Sequence, residues 1–236
     1  MRTIKKVASH IFIDGFGGMT QGLFATLIIG TMIQQIGLLI GGSTGNVIYL
    51  LGKAAAALTS AGIGVGVAVK YGESPLVTVS AAVAAMVGGY AGKITGGTFF
   101  VDGNAVLAGP GEPLGAFIAA FAGITCGHLV SGKTKVDIIV TPVITIGAGS
   151  VVGLLVGPPI SQMMTGLGSI INWATEQRPF IMGIVVSVVM GMVLTLPISS
   201  AALGIILNLS GLAAGAATIG CCCNMVGFAV ASYREN

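Results

Sequence analysis

Long apolar runs separated by short polar punctuation organise this chain. Residues 15–52, 138–175 and 179–233 contain no Asp, Glu, Lys or Arg. A run of about 18 apolar residues is enough to cross a bilayer as a helix. Stretches such as 151–156 and 181–192 lack the apolar–polar alternation that a membrane barrel strand needs. The pattern predicts spans at 19–40, 46–69, 74–92, 114–131, 138–158, 180–198 and 203–230, the last long enough to be broken. Turns are expected at 41–45, 70–74, 133–137 and 176–179. The expected fold is all-α, a single polytopic helical membrane domain over 1–236 with about seven or eight spans and Gly/Pro-rich broken or re-entrant segments.

Composition agrees and removes the alternatives. Charged residues make up 7% of the 236 positions and mean hydropathy is +1.00, against roughly 25% charged residues in a soluble domain. A soluble fold, and with it a nucleic-acid-binding surface, is excluded. Ile4, Val7, Ala8, Ile11 and Phe12 share one helical face, so residues 1–18 are expected to lie along the interface as an amphipathic helix. With the N-terminus in the cytoplasm, Arg2, Lys5, Lys6, Lys70, Lys133 and Lys135 fall inside and Lys53, Lys93, Arg178 and Arg234 outside, which favours that orientation in an inner membrane.

Many of the 39 glycines are spaced by four, as in Gly18/Gly22, Gly62/Gly66, Gly88/Gly92/Gly96 and Gly149/Gly153/Gly157. Four-residue spacing puts them on one helix face, where backbones can approach closely. Pro142, Pro158/Pro159 and Pro197 are expected to break helices, exposing backbone polar groups as in transporter sites.

The few polar groups near the bilayer then form the candidate list. Residues 93–113 are too polar and glycine-rich to span, and non-helical backbone is tolerated at membrane depth only inside protein or beside a water-filled cavity. Asp102, Asn104 and Glu112 in that segment are candidate substrate-binding groups, with an ordinary solvated loop as the alternative. His128, in an otherwise uncharged run, could bind substrate or relay protons, or simply make an interhelical hydrogen bond. A second irregular region is expected around Thr195, Pro197, Ser199, Ser200, Asn208 and Ser210, and a polar loop at Gln162, Asn172, Glu176, Gln177 and Arg178. Residues 127–134 match the phosphate-binding pattern G-x-x-x-x-G-K-[ST], but a membrane span precedes them where the motif needs a buried strand. Cys126 and the run Cys221 to Cys223 offer no metal spacing or disulfide framework. No cofactor motif and no catalytic nucleophile emerge.

The stretches GGTFFVDGNAVLAGPGEPLGAFIAA, LVSGKTKVDIIVTPVITI, VGLLVGPPI, INWATEQRPFIMGIVVSVVMGMVLTLPISSAA and GLAAGAATIGCCCNMVGFAVASYREN resemble the membrane IIC component of bacterial phosphotransferase-system sugar transporters, in the divergent branch that includes perfringolysin-regulator-like proteins. The resemblance implies a sugar permease, acting as a homodimer with separate IIB and IIA proteins. A phosphocysteine on IIB would phosphorylate the translocated sugar, so the chain is at most the translocating subunit of that phosphotransferase. It also implies that Glu112, in Gly109-Pro-Gly-Glu-Pro113, contacts sugar hydroxyls. Members that resemble this chain continue beyond the equivalent of Asn236, so C-terminal shortening is expected. The competing expectations are a membrane-embedded ligand sensor or regulator and an ion-coupled secondary transporter of a small polar solute.

Overall fold

The computed structural model describes residues 14–101, 104–107, 109–193, 204, 207 and 209–235. The expected interfacial helix therefore lies mostly outside the described residues, and Phe16 to Gly18 belong to the first apolar helix instead. Among the described residues the chain is all-α apart from one hairpin of two-residue strands, as the apolar runs predict. By its contacts it divides into two compact units, Met1–Ser161 and Gln162–Asn236.

The first unit begins with α1 (Phe16–Leu23), a π-helical turn (Phe24–Ile28) and α2 (Ile29–Ile40), which run on as one apolar helix. Gly41 and Gly42, at φ +66° and +65°, reverse the chain, a conformation in which any Cβ would be strained. The return leg is α3 (Gly42–Ala57) and α4 (Thr59–Lys70). Then come α5 (Pro75–Gly89), α6 (Ala91–Thr95), the hairpin β1 (Phe100–Val101) and β2 (Asn104–Ala105), and α7 (Pro113–Val130). Ser74 caps α5, its hydroxyl accepting from Val77 N at 3.4 Å, with proline at the first helical position, where no amide is missed.

Packing follows the glycine seams. Helix α1 packs on α4, α2 on α3, α5 on both α4 and α7. A Cβ added to Gly18 would lie 2.6 Å from the Gly66 carbonyl oxygen, and one on Gly22 would run into that of Gly62. On α2 and α3 the same holds for Gly37 against Gly45 at 2.7 Å and Gly30 against Gly52 at 2.9 Å. Such contact compensates for the missing hydrophobic drive between helices in lipid. Large apolar side chains point outward instead: Leu39 is 86% exposed, which fits a lipid surround rather than water.

Helix α8 (Asp137–Gln177) differs from expectation. A span ending at 158 and a polar loop after it are replaced by one helix that passes through Pro142, Pro158 and Pro159. Each proline removes one backbone donor and strains the preceding turn, but membrane helices absorb this by satisfying the freed carbonyls locally. Its first part seats Gly149 and Gly153 against Ala84, Gly88 and Ala119 in the first unit.

In the second unit the C-terminal part of α8 is followed, after a break at Arg178, by α9 (Pro179–Val193) and α10 (Gly211–Glu235). The break falls inside the expected turn; within the expected last span of 203–230, long enough to be broken, Leu209 and Ser210 are non-helical and α10 starts at Gly211, while 203, 205, 206 and 208 lie outside the described residues. Val186, Met190 and Ala217 form the core, joined by Ile171. Asn224 donates to the Gly191 carbonyl at 2.6 Å and Ser210 N donates to Asn172 Oδ1 at 3.1 Å. Thr195 to Ser200 and Asn208 lie outside the described residues.

Among the described residues four helices are long and apolar enough to cross a bilayer, or five when the bent pair α3–α4 counts as one. The expected spans at 74–92 and 180–198 correspond to shorter apolar helices.

Candidate functional site

The polar centre of the first unit is built where three irregularities meet. The helix expected over 46–69 is broken at Leu58, whose φ of −86° and ψ of 10° leave the helical region, and α3 and α4 meet there at 52°. No glycine or proline causes this. Beyond the break Thr59 and Ser60 are fully buried. Facing them, α5 ends at Gly89, and the fully buried Tyr90 turns the chain toward α6. The non-helical segment returns through Gly109, Pro110, Gly111 and Glu112 to start α7.

Hydrogen bonds lock these pieces together. The Tyr90 hydroxyl lies 3.2 Å from the Ala57 carbonyl, in the last turn before the break, and also reaches the Gly109 carbonyl. Ser60 Oγ donates to the Pro110 carbonyl at 3.1 Å. Glu112 N donates to the Gly89 carbonyl at 2.7 Å. Gly111 sits at φ +74°, and a Cβ there would lie 2.5 Å from Ser60 Oγ, so glycine is required both by conformation and by space.

Glu112 is the N-cap of α7. Oε1 accepts from Leu114 N at 3.1 Å and Oε2 accepts from Gly115 N. A carboxylate at that position satisfies two orphan amides and meets the positive end of the helix dipole. Each oxygen keeps further lone pairs, so the half-buried group can still accept from a bound hydroxyl.

The other candidates are distributed differently. Asn104 lies in the β hairpin, paired in register with Val101. Asp102 falls outside the described residues. His128 sits near the C-terminal end of α7, which is 16 residues and roughly 24 Å from Glu112 at helical rise. It pairs there with Glu73, Nδ1 to Oε1 3.0 Å. Ser74 and Ser131 hydroxyls meet at 3.0 Å, so the turns carrying Lys70, Glu73, Lys133 and Lys135 share one end of the unit. The structure thus does not bring His128 to Glu112. Because its side chain is 71% exposed, His128→Ala is expected to change melting stability by less than about 1 kcal/mol, measured on detergent-solubilised protein. Residues 127–134 form the last turn of α7 and the link to α8, not a strand-to-helix loop; Asp137 occupies the Gly132 amide at 3.0 Å.

Tyr90 and Ser60 were not singled out by sequence. The available signal was the pair Thr59-Ser60 in an apolar run, and Gly88-Gly89-Tyr90 at a span end.

The architecture defines a polytopic helical membrane protein with a non-helical segment folded back into its bundle and an acidic residue at the segment's end. A family profile described as "Phosphotransferase system, EIIC" matches residues 13–236. The chain therefore belongs to the EIIC family of the phosphotransferase system, and is a membrane permease component of that system. Neither the curated proteins nor the solved structures yield a match to it.

Proposed function

We propose that this chain translocates a sugar held at Glu112 and presents it on the cytoplasmic side to a separate IIB protein, itself charged through IIA. The observation that carries this reading is the Glu112 carboxylate. It is fixed by two backbone amides at the start of α7, at the end of an internal non-helical segment, beside a broken helix. Acids are expensive at membrane depth and gather where a polar solute passes. Asn104 and Asp102 belong to the same segment and are proposed to line the approach. The end carrying Lys70, Lys133 and Lys135 is proposed as cytoplasmic, in an inner membrane.

The test is uptake of a panel of radiolabelled sugars into proteoliposomes with candidate IIB and IIA proteins. Uptake of one sugar that requires phosphoenolpyruvate and appears inside as the sugar phosphate is expected. Uptake driven by a pH gradient without IIB would replace group translocation by ion coupling. Saturable binding with no flux would make the protein a sensor.

A further inference from the structure

Two features of the first hairpin coincide in level. The return leg breaks at Leu58, and the outgoing leg departs from the α ladder at Phe24–Ile28. The two are directly opposed: Thr26 Cγ2 lies 2.6 Å from the place of a Cβ on Gly62, and a Cβ on Gly30 would lie 2.8 Å from Ala56 N. Since α1 packs on α4 and α2 on α3, the first helix contacts the return leg on both sides of its 52° bend. Its π turn lies at the level of that bend, and π turns inside α-helices frequently mark functional positions. Among the described residues α2 and α3 pack chiefly on each other and on the π turn, so the pair is an arm that meets the rest of the unit at the level of the Leu58 hinge.

Two side chains tie that hinge to the segment carrying Glu112. The single hydroxyl proton of Tyr90 is shared between the Ala57 carbonyl before the break and the nearer Gly109 carbonyl in the segment, and Ser60, in the first turn after the break, holds the Pro110 carbonyl. Both are buried, where an unpaired carbonyl is costly. Rotation of the arm about Leu58 would move the Ala57 carbonyl and so strain the bond to Tyr90. Conversely, displacement of Gly109 to Glu112 would release both.

We propose that Tyr90 and Ser60 are positioning residues that couple the Glu112 segment to the arm hinge, so that the segment and the arm change position together. The functional half of this proposal rests on the reading of Glu112 as a sugar contact. The mechanical half stands without it.

The test is amide hydrogen exchange on the full chain in lipid nanodiscs, for wild type, Tyr90→Phe and Ser60→Ala. Phenylalanine keeps the ring against Phe99 and Lys93 and loses only the hydroxyl. Each variant is expected to speed exchange at 109–112 and at 57–62 together, by about 2–10-fold, with 118–126 in α7 unchanged. Acceleration at 109–112 alone, or at neither stretch, would overturn the coupling. In the uptake assay Tyr90→Phe is expected to raise KM by about 2–10-fold at an unchanged maximal rate per folded protein. A lowered maximal rate with KM unchanged would show a purely structural role and overturn the positioning claim. If Glu112→Gln leaves uptake intact while the two stretches still exchange together, the sugar-contact reading fails and the coupling survives.

Discussion

Glu112→Gln is expected to cut sugar uptake by at least about tenfold, while Glu112→Asp separates the two duties of the side chain. A hydrogen bond from a sugar hydroxyl to an ionised acceptor contributes about 1.5–3 kcal/mol, roughly 10–150-fold in affinity. The amide of Gln loses that charge. It also turns an N–H toward one of the two cap donors, Leu114 N or Gly115 N, so α7 loses about 0.5–2 kcal/mol as well. Aspartate is among the best N-caps, so Glu112→Asp is expected to melt like wild type. Its carboxylate is one methylene shorter and withdraws from the approach. If Glu112 contacts sugar, the aspartate variant keeps its stability and loses uptake; if Glu112 is only a cap, the variant transports normally. Melting curves and uptake on the same preparations decide between them.

The parts legible in the sequence are those that lipid enforces. Charge-free runs had to be helices because no other open structure satisfies its backbone in a bilayer, and the turns at Gly41–Gly42 and before Pro75 carry local signatures. Glycines four apart announced close seams, and Gly18/Gly22 and Gly62/Gly66 do meet. What sequence could not show was decided by tertiary contacts. Prolines 158 and 159 read as breaks, yet α8 runs through them. Leu58 reads as a good helix former, and the helix breaks there, beside a carbonyl held by Tyr90 33 residues away. Gln162 to Gln177 read as a loop because of its polar residues, although none of them disfavours a helix strongly. For the site, Glu112 stood out as an acid in an apolar setting, whereas Tyr90 and Ser60 lie in ordinary-looking spans and acquire their significance only from what folds against them.

Gly22→Ala is expected to be among the most destabilising single-methyl additions in the chain, and Gly147→Ala among the mildest. Both sit in apolar helices and receive the same group. At Gly22 the new Cβ falls on the Gly62 carbonyl and within 2.7 Å of Ile63 N, whereas at Gly147 it meets nothing within 4 Å. The obstacle at Gly22 is backbone, so no rotamer change relieves it; α1 and α4 must separate, and with them Gly18 and Gly66. In water a widened interface is partly offset by the added apolar burial, but lipid is as apolar as the methyl group and offers no such return. Overpacking of this kind costs about 1–3 kcal/mol, against a gain of up to about 1 kcal/mol from replacing a helical glycine by alanine. Gly147→Ala should show only that gain. Thermal melts of the two variants in the same detergent are therefore expected to shift in opposite directions from wild type. Equal shifts would mean that the α1–α4 seam is not the close backbone contact on which the position of the hinge, and hence of Glu112, depends.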